Sequence, residues 1–416
     1  MIPDARRQEL FETIRDYIAD PQGEDRFEAL ALEVFRFQYG ANEAYRAYCE
    51  GKGIDPAGVG RWEDIPAYPS DAFKKNLVIS FPYEKTVMAN ITGGTSDPDL
   101  RGIIFRDEYG RELVLAANRK VMGDYVFPEG ERMPILVLAP SPETAPSMGM
   151  AIGMAETIRS FGTEQSGFFI TRRGFLIREF MDRLRELVVA GKPVALIGST
   201  SAFIYFFNAC RKNGLRFALP AGSRIVDGGG YRGRFGDCDR DEYYERCRDT
   251  FGVDPAYCLN VLGMAESATN SADSSLRDLL AGAGRERIKP DLPWCRVAAM
   301  DIETCSRVLP PGEVGLLRHY DLANLPTVLG VQTDNLGYRT DDGFEIIGRA
   351  HVVDGKVSPM PSEKPVGPMG EKKVFSFLDL YMKFSINRYV SRIKKDDPLC
   401  PCGEAIEDMI ARERVD

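Results

Sequence analysis

Short apolar runs that alternate with amphipathic stretches restrict this chain to few architectures. Pro134-Ile-Leu-Val-Leu-Ala139 ends in Pro140-Ser141-Pro142, the pattern of a buried strand feeding a loop. Phe175–Ala190 has helical apolar spacing and stops at Gly191, Pro193-Val-Ala-Leu-Ile-Gly198 is again a buried strand, and Ser201–Asn213 is a helix stopped by Gly214. Arg111–Val121 is also helix-like. Buried strands separated by helices pair side by side in parallel, so the expected class is α/β with a substantially parallel sheet. Upstream, about residues 4–76 read as a helical cap. Leu10, Ile14 and Ile18 recur at helical spacing, Phe27, Leu30, Leu32, Phe35 and Phe37 do so more loosely, and Pro66 and Pro69 break the pattern.

Composition narrows the function. A chain of 416 residues can form one large domain plus an appendage. Its formal net charge of −9 argues against nucleic acid or an anionic membrane as the main partner. No apolar stretch approaches the roughly 18 residues that a membrane span needs, and the first thirty residues lack the pattern of a signal peptide. The nine cysteines follow no secreted-type framework, which suggests reduced thiols and a cytoplasmic protein. With only His319 and His351 present, a histidine-rich metal site is excluded and a Ser-His-Asp triad has little material.

Four stretches carry chemistry. Ile91-Thr92-Gly93-Gly94-Thr95-Ser96-Asp97-Pro98 follows a β-compatible run, Leu77–Phe81, and precedes Ile103-Ile104-Phe105. Its glycines permit a tight turn with exposed N–H groups, and its hydroxyls add donors, which is what a phosphate cradle needs; a polar hairpin turn is the plainer alternative. Ile225-Val226-Asp227-Gly228-Gly229-Gly230-Tyr231 is a strand ending in glycines, suited to a flat ligand lying on bare backbone with Tyr231 to stack on it. Leu259-Asn260-Val261-Leu262-Gly263-Met264-Ala265-Glu266 delivers a carboxylate at a strand's C-terminal end, where open α/β sheets bind ligands. Gln332-Thr333-Asp334 reads as a turn whose aspartate can accept from ribose hydroxyls, and Arg349 lies fifteen residues on, after Gly348, where a mobile hinge is expected. Ser141–Met154, rich in methionine and glycine, suits an adaptable apolar pocket for an acid.

In order and spacing these stretches resemble the adenylate-forming superfamily of acyl ligases, and within it the acyl-protein synthetase (LuxE-type) branch, with phenylacetate–CoA ligase as a nearer cousin than the luciferases. The resemblance runs from Trp62-Glu-Asp-Ile-Pro66 to Arg349. It implies a large multi-layer N-terminal adenylate-forming domain over 1–349 and a small, shortened C-terminal lid over 350–416. It also implies ATP and Mg²⁺ as cofactors. Thr92, Gly93, Gly94, Thr95 and Ser96 would hold phosphate, without the superfamily's closing Pro-Lys, since Asp97-Pro98-Asp99 stands there. Gly228, Gly229 and Gly230 would receive adenine, with Tyr231 or Val261 stacking because Leu262 replaces the usual tyrosine. Gly263 and Met264 belong to the signature that ends in Glu266, the Mg²⁺-binding carboxylate. Asp334 would take the ribose and Arg349 the position before the hinge, where Ala350-His351 departs from the family's acidic residue.

Near the C-terminus, Val374–Lys395 has helical apolar spacing, and Pro398-Leu399-Cys400-Pro401-Cys402-Gly403 carries two thiols. A zinc site is a poor reading, because no second pair lies nearby. The resemblance implies that Cys400 or Cys402 accepts the acyl group from the adenylate as a thioester and passes it to a partner reductase or carrier protein. Two alternatives stay open: an acyl–CoA ligase, and a non-catalytic nucleotide-binding scaffold.

Overall fold

The computed structural model describes residues 4–21, 25–92, 102–171, 174–229, 240–284, 287–353, 356–359, 384–386 and 388–390. Its centre is a sheet in the order Ser271–Ala272, Cys258–Leu262, Arg224–Gly228, Ala195–Ser199, Ile135–Pro140, Gly167–Thr171 and Gly174–Phe175. The five inner strands run parallel, and the two short outer ones are antiparallel. The expected parallel α/β sheet is therefore present.

Strand periodicity explains why both faces are covered. Ile135, Val137 and Ala139 point into one core, and Leu136 and Leu138 into the other. Ile197, Val226 and Leu259 join the first side, while Leu196, Ile225 and Cys258 join the second. Helices Ile177–Val189, Thr200–Asn213 and Arg240–Phe251 close the second face with Phe180, Leu184, Phe203, Phe206, Phe207, Tyr243 and Phe251. Ser199 caps Thr200–Asn213 by accepting from Ala202 N–H, and Gly214 ends it at φ +62°, the left-handed conformation that glycine adopts without strain.

A second, mainly antiparallel sheet packs beside the first, in the order Lys289–Pro290, Gly343–Val353, Gly330–Arg339, Gly315–Asp321 and Cys295–Met300. The strand Gly343–Val353 runs straight through position 349 and then pairs with Lys356–Pro359. Met88–Ile91 and Ile103–Arg106 form a separate hairpin. Leu77–Phe81, despite its β-compatible residues, is not a strand. Its backbone is turned elsewhere, with Ser80 N–H donating to Pro326 O and Ser80 Oγ to Thr327 O.

The N-terminal segment is helical, as its spacing predicts, in Asp4–Ala19, Phe27–Ala41 and Glu43–Gly51. Buried polar bonds fix it to residues 324–329. Gln38 Nε2 donates to Asn324 O (2.9 Å), Leu329 N–H donates to Gln38 Oε1 (2.7 Å), and Asn42 Nδ2 donates to Thr327 O (3.0 Å). Of the C-terminal helix expected over Val374–Lys395, residues 384–386 and 388–390 are described; they are helical, with Ile386 and Val390 buried in the second core. None of the described helices is long and apolar enough to cross a membrane.

Gln38→Leu should destabilise the protein by about 1–3 kcal/mol in urea denaturation, because it strands the buried Leu329 N–H and Asn324 carbonyl. An unchanged unfolding midpoint would show that these bonds do not anchor the helices.

Candidate active site

The C-terminal edge of the parallel sheet meets the hairpin and the second sheet, and that junction gathers most of the described candidate residues. Gly228 ends one strand, and Gly229 follows at φ +126°, where a Cβ would stand 3.3 Å from Thr200 Oγ1. Beneath them the buried Asp227 carboxylate accepts from Thr200 Oγ1 (2.6 Å) and Asn260 Nδ2 (3.0 Å). Asn260 Nδ2 also donates to Gly229 O (3.2 Å), so one amide sets the path of the glycine run. Burial, opposed by these hydrogen bonds, pushes the Asp227 carboxyl up to about 7.

The neighbouring strand, Cys258–Leu262, leads into the turn that carries Glu266. At Gly263 a Cβ would come within 2.8 Å of Asn270 Oδ1, so a larger residue there would displace the Asn270 amide. Met264 Sδ accepts a weak bond from Asn335 Nδ2 at 3.7 Å, which ties the turn to the strand holding Asp334. Arg106 Nη2 donates to Ala265 O (2.8 Å) and Asn324 Nδ2 to Glu266 O (3.1 Å), holding the turn from two sides. Glu266 is half-buried, and burial raises its pKa. Its own backbone N–H and the charges of Arg349 and Arg106 pull the other way, whereas Asp334 adds to the rise. Glu266, Asp334, Arg349 and Arg106 thus share one electrostatic neighbourhood.

Asp334 and Arg349 form an ion pair of 3.7 Å, both partly exposed. Such a pair contributes little to stability, and ligand hydroxyls and phosphate oxygens can take its place. Neither residue sits as the sequence suggests. Asp334 lies inside the strand Gly330–Arg339 rather than on a turn, and Arg349 lies inside Gly343–Val353, opposite Asn335. The polar Thr-Asp step looks like a turn in sequence; here it forms a β-bulge, residues 333–335 lying opposite Leu317 between the pairs Leu316–Leu336 and Arg318–Gln332, with Thr333 Oγ1 donating to Leu317 O and accepting Asn335 N–H.

Thr92 closes the hairpin by donating its N–H to Gly102 O (2.9 Å) and accepting Gly102 N–H at Oγ1 (2.9 Å). Gly93, Gly94, Thr95, Ser96, Gly230, Tyr231, Cys400 and Cys402 lie outside the described residues. The Ser141–Met154 stretch borders this junction. Ile91 N–H donates to Ser147 O (3.1 Å), and Met150 Sδ is 3.6 Å from where a Cβ on Gly228 would stand. Asn118 Nδ2 donates to Gly153 O (3.1 Å) in the helix Gly149–Phe161, and Asn270 Nδ2 to Asn118 Oδ1 (3.1 Å), linking that helix back to the Gly263 turn.

Sequence reasoning missed Arg106, Asn90, Thr200 and the buried Asp227–Asn260 pair. For Arg106, Asn90, Asp227 and Asn260 the one signal was a charged or amide group inside an otherwise apolar strand; Thr200, the first residue of the helix Thr200–Asn213, carried none. Among the described residues no cluster of three or more His, Cys, Asp or Glu side chains is placed to cage a metal. Glu266 instead suits a cation held by one carboxylate and by a ligand's own oxygens, as Mg²⁺ commonly is.

The family described as "Acyl-protein synthetase, LuxE" matches residues 15–355. A long-chain-fatty-acid–luciferin-component ligase of Aliivibrio fischeri is 22% identical over 312 residues, 74% of this chain and 78% of that protein. Among solved structures, 2-hydroxyisobutyryl-CoA ligase in an open conformation with 2-HIB-AMP and CoA superposes with a TM-score of 0.55 at 15% identity, covering 80% of this chain and 73% of that one. The same ligase in its postadenylation state gives 0.54 at 14% identity, covering 86% and 71%. These structures share the fold.

The Asp227 carboxyl is raised from the carboxylate range to about 7, so the folded state holds that proton longer than the unfolded chain. Its contribution to stability is complete below about pH 4 and is lost as pH rises toward 7. Asp227→Asn should flatten that decline in urea denaturation at successive pH values, and an identical pH profile would contradict the assignment.

Proposed function

The chain belongs to the LuxE family of acyl-protein synthetases, and from that premise we propose that it activates a fatty acid with ATP and passes the acyl group to a cysteine. The observation that carries this reading is the gathering of Glu266, Asp334 and Arg349 at the end of a parallel sheet, with Gly228 and Gly229 on the neighbouring strand. Fatty acid as substrate class follows the likeness to the long-chain-fatty-acid ligase.

A carboxylate and the α-phosphate of ATP repel, so the site's task is to hold two anions together and to stabilise the charge that develops between them. One carboxylate oxygen attacks the α-phosphorus, the bond from that phosphorus to the bridging oxygen breaks, and pyrophosphate leaves. The acid reacts already ionised, so no protein base is needed, and the scarcity of histidine fits. Mg²⁺ would supply positive charge to the phosphate oxygens when bound at Glu266. Thr92–Ser96 would present N–H groups to phosphate, Gly228–Gly230 a bare surface to adenine, Asp334 an acceptor to the ribose hydroxyls, and Arg349 a cation beside them.

In the second half-reaction a thiolate attacks the acyl carbon and AMP leaves with the electron pair of the broken mixed anhydride. Cys400 and Cys402 are the thiols we propose, with Lys394 and Lys395 favouring the thiolate and Asp396 and Asp397 opposing them. Of residues 350–416, 350–353 continue a strand of the second sheet and Ile386 and Val390 pack in the second core, so the short lid that brings the thiols to the adenylate would begin beyond Val390. A partner reductase or carrier protein would then take the acyl group.

Incubation with ATP and a labelled fatty acid should leave a hydroxylamine-labile label on the wild-type protein. Cys400→Ser with Cys402→Ser should abolish it while acid-dependent pyrophosphate release continues. Label that persists in the double variant contradicts transfer to these thiols. AMP release that depends on CoA and ignores the double substitution would favour an acyl–CoA ligase.

A further inference from the structure

Two adjacent side chains at this junction keep buried donors without partners. Asn90 is 3% exposed and Arg106 2% exposed, and among the described residues neither Asn90 Nδ2 nor Arg106 Nε has a hydrogen-bond partner. Leaving a buried donor unmade costs about 1–3 kcal/mol, and a folded protein rarely keeps one without a use for it. The remaining bonds of the pair are well formed. Arg106 Nη1 donates to Asn90 Oδ1 at 2.7 Å, and Nη2 donates to Ala265 O at 2.8 Å. Because a cation occupies Oδ1, the Asn90 amide cannot flip, and its Nδ2 is fixed as a donor.

A third feature meets them. The helix Gly149–Phe161 has thirteen residues and starts at Met148 with no side-chain cap. A Cβ on Gly149 would lie 3.6 Å from Asn90 Nδ2, so the open, electropositive end of the helix and the unused amide face the same space. The acidic groups near Arg106 are Asp321 and Glu266. Asp321 is already occupied, accepting from Thr269 N–H (2.8 Å), Thr269 Oγ1 (3.0 Å), Ser267 Oγ (2.9 Å) and Ala323 N–H (2.9 Å).

We propose that Asn90, oriented by Arg106 and assisted by the N-terminus of the helix Gly149–Phe161, seats the carboxylate of the acid substrate. The inference rests on the adenylation reading and adds a recognition group to it. A fixed N–H donor beside a helix N-terminus selects an anionic oxygen over a neutral amide or alcohol. The apolar first turns of the same helix, Met150, Ala151 and Met154, would lie along the start of the acyl chain. Arg106 is a positioning residue: it aims the amide and, through Ala265, sets the distance from the carboxylate seat to Glu266.

The test is steady-state ATP–pyrophosphate exchange with acid and ATP varied separately, on the full chain. Asn90→Ala should raise the KM for the acid about tenfold, and Asn90→Asp, which puts a negative charge against the substrate, should raise it further. The KM for ATP should stay within about twofold of wild type, a split that general loosening of the site would not produce. Arg106→Lys should recover more acid affinity than Arg106→Met. In the wild-type protein, the primary amide of the same acid should inhibit at least about tenfold more weakly than the acid binds, a comparison that needs no variant to fold. An acid KM unchanged in both Asn90 variants, an equal rise in the KM for ATP, or equal affinity for acid and amide overturns the seat. No exchange by the wild-type protein with any acid overturns the adenylation reading itself.

Discussion

A buried guanidinium joins the two halves of this site. Arg106 stands on the hairpin of Met88–Ile91 and Ile103–Arg106, and it donates across to the Ala265 carbonyl beside Glu266. The bond spans 159 positions of sequence and fixes the hairpin strand Ile103–Arg106 to the turn that carries Glu266. Burial lowers the Arg106 pKa to about 10, still high enough for it to remain a cation at neutral pH. Its charge opposes the rise that burial gives the pKa of the half-buried Glu266.

The parallel sheet delivers the other parts. Its strands end together, so Gly228 and Leu262 expose their following residues at one edge, and the second sheet brings Asp334 and Arg349 to the same place. Two of these parts are then held by a buried amide: Asn260 donates to Gly229 O and Asn335 to Met264 Sδ. Buried amides suit this task because they satisfy backbone and side-chain groups at once without adding charge.

Much of this was legible in sequence. The run Pro134–Ala139 and the helices after it carry their periodicity openly, and the observed strand Ile135–Pro140 and helix Thr200–Asn213 differ from it by single residues at their ends. Leu77–Phe81 misleads because β-propensity says nothing of where the backbone N–H groups go, and that of Ser80 finds Pro326 O rather than a neighbouring strand. Asp334 reads as a turn residue for the same reason in reverse. Arg106 and Asn90 were invisible as a pair, because what makes them one is a side-chain bond across a hairpin and a second to a distant carbonyl. A glycine with a close neighbour, such as Gly263 beside Asn270, shows in sequence as a glycine, but the neighbour does not.

The central claim is that this chain joins a carboxylic acid to AMP. Carboxylate-dependent ATP–pyrophosphate exchange with Mg²⁺, run over short, medium and long fatty acids and aryl acids, tests it most directly. The account predicts exchange with fatty acids and its loss when Glu266 is replaced by alanine, with ATP still bound. ATP binding without exchange for any acid, or exchange indifferent to Glu266, would contradict it.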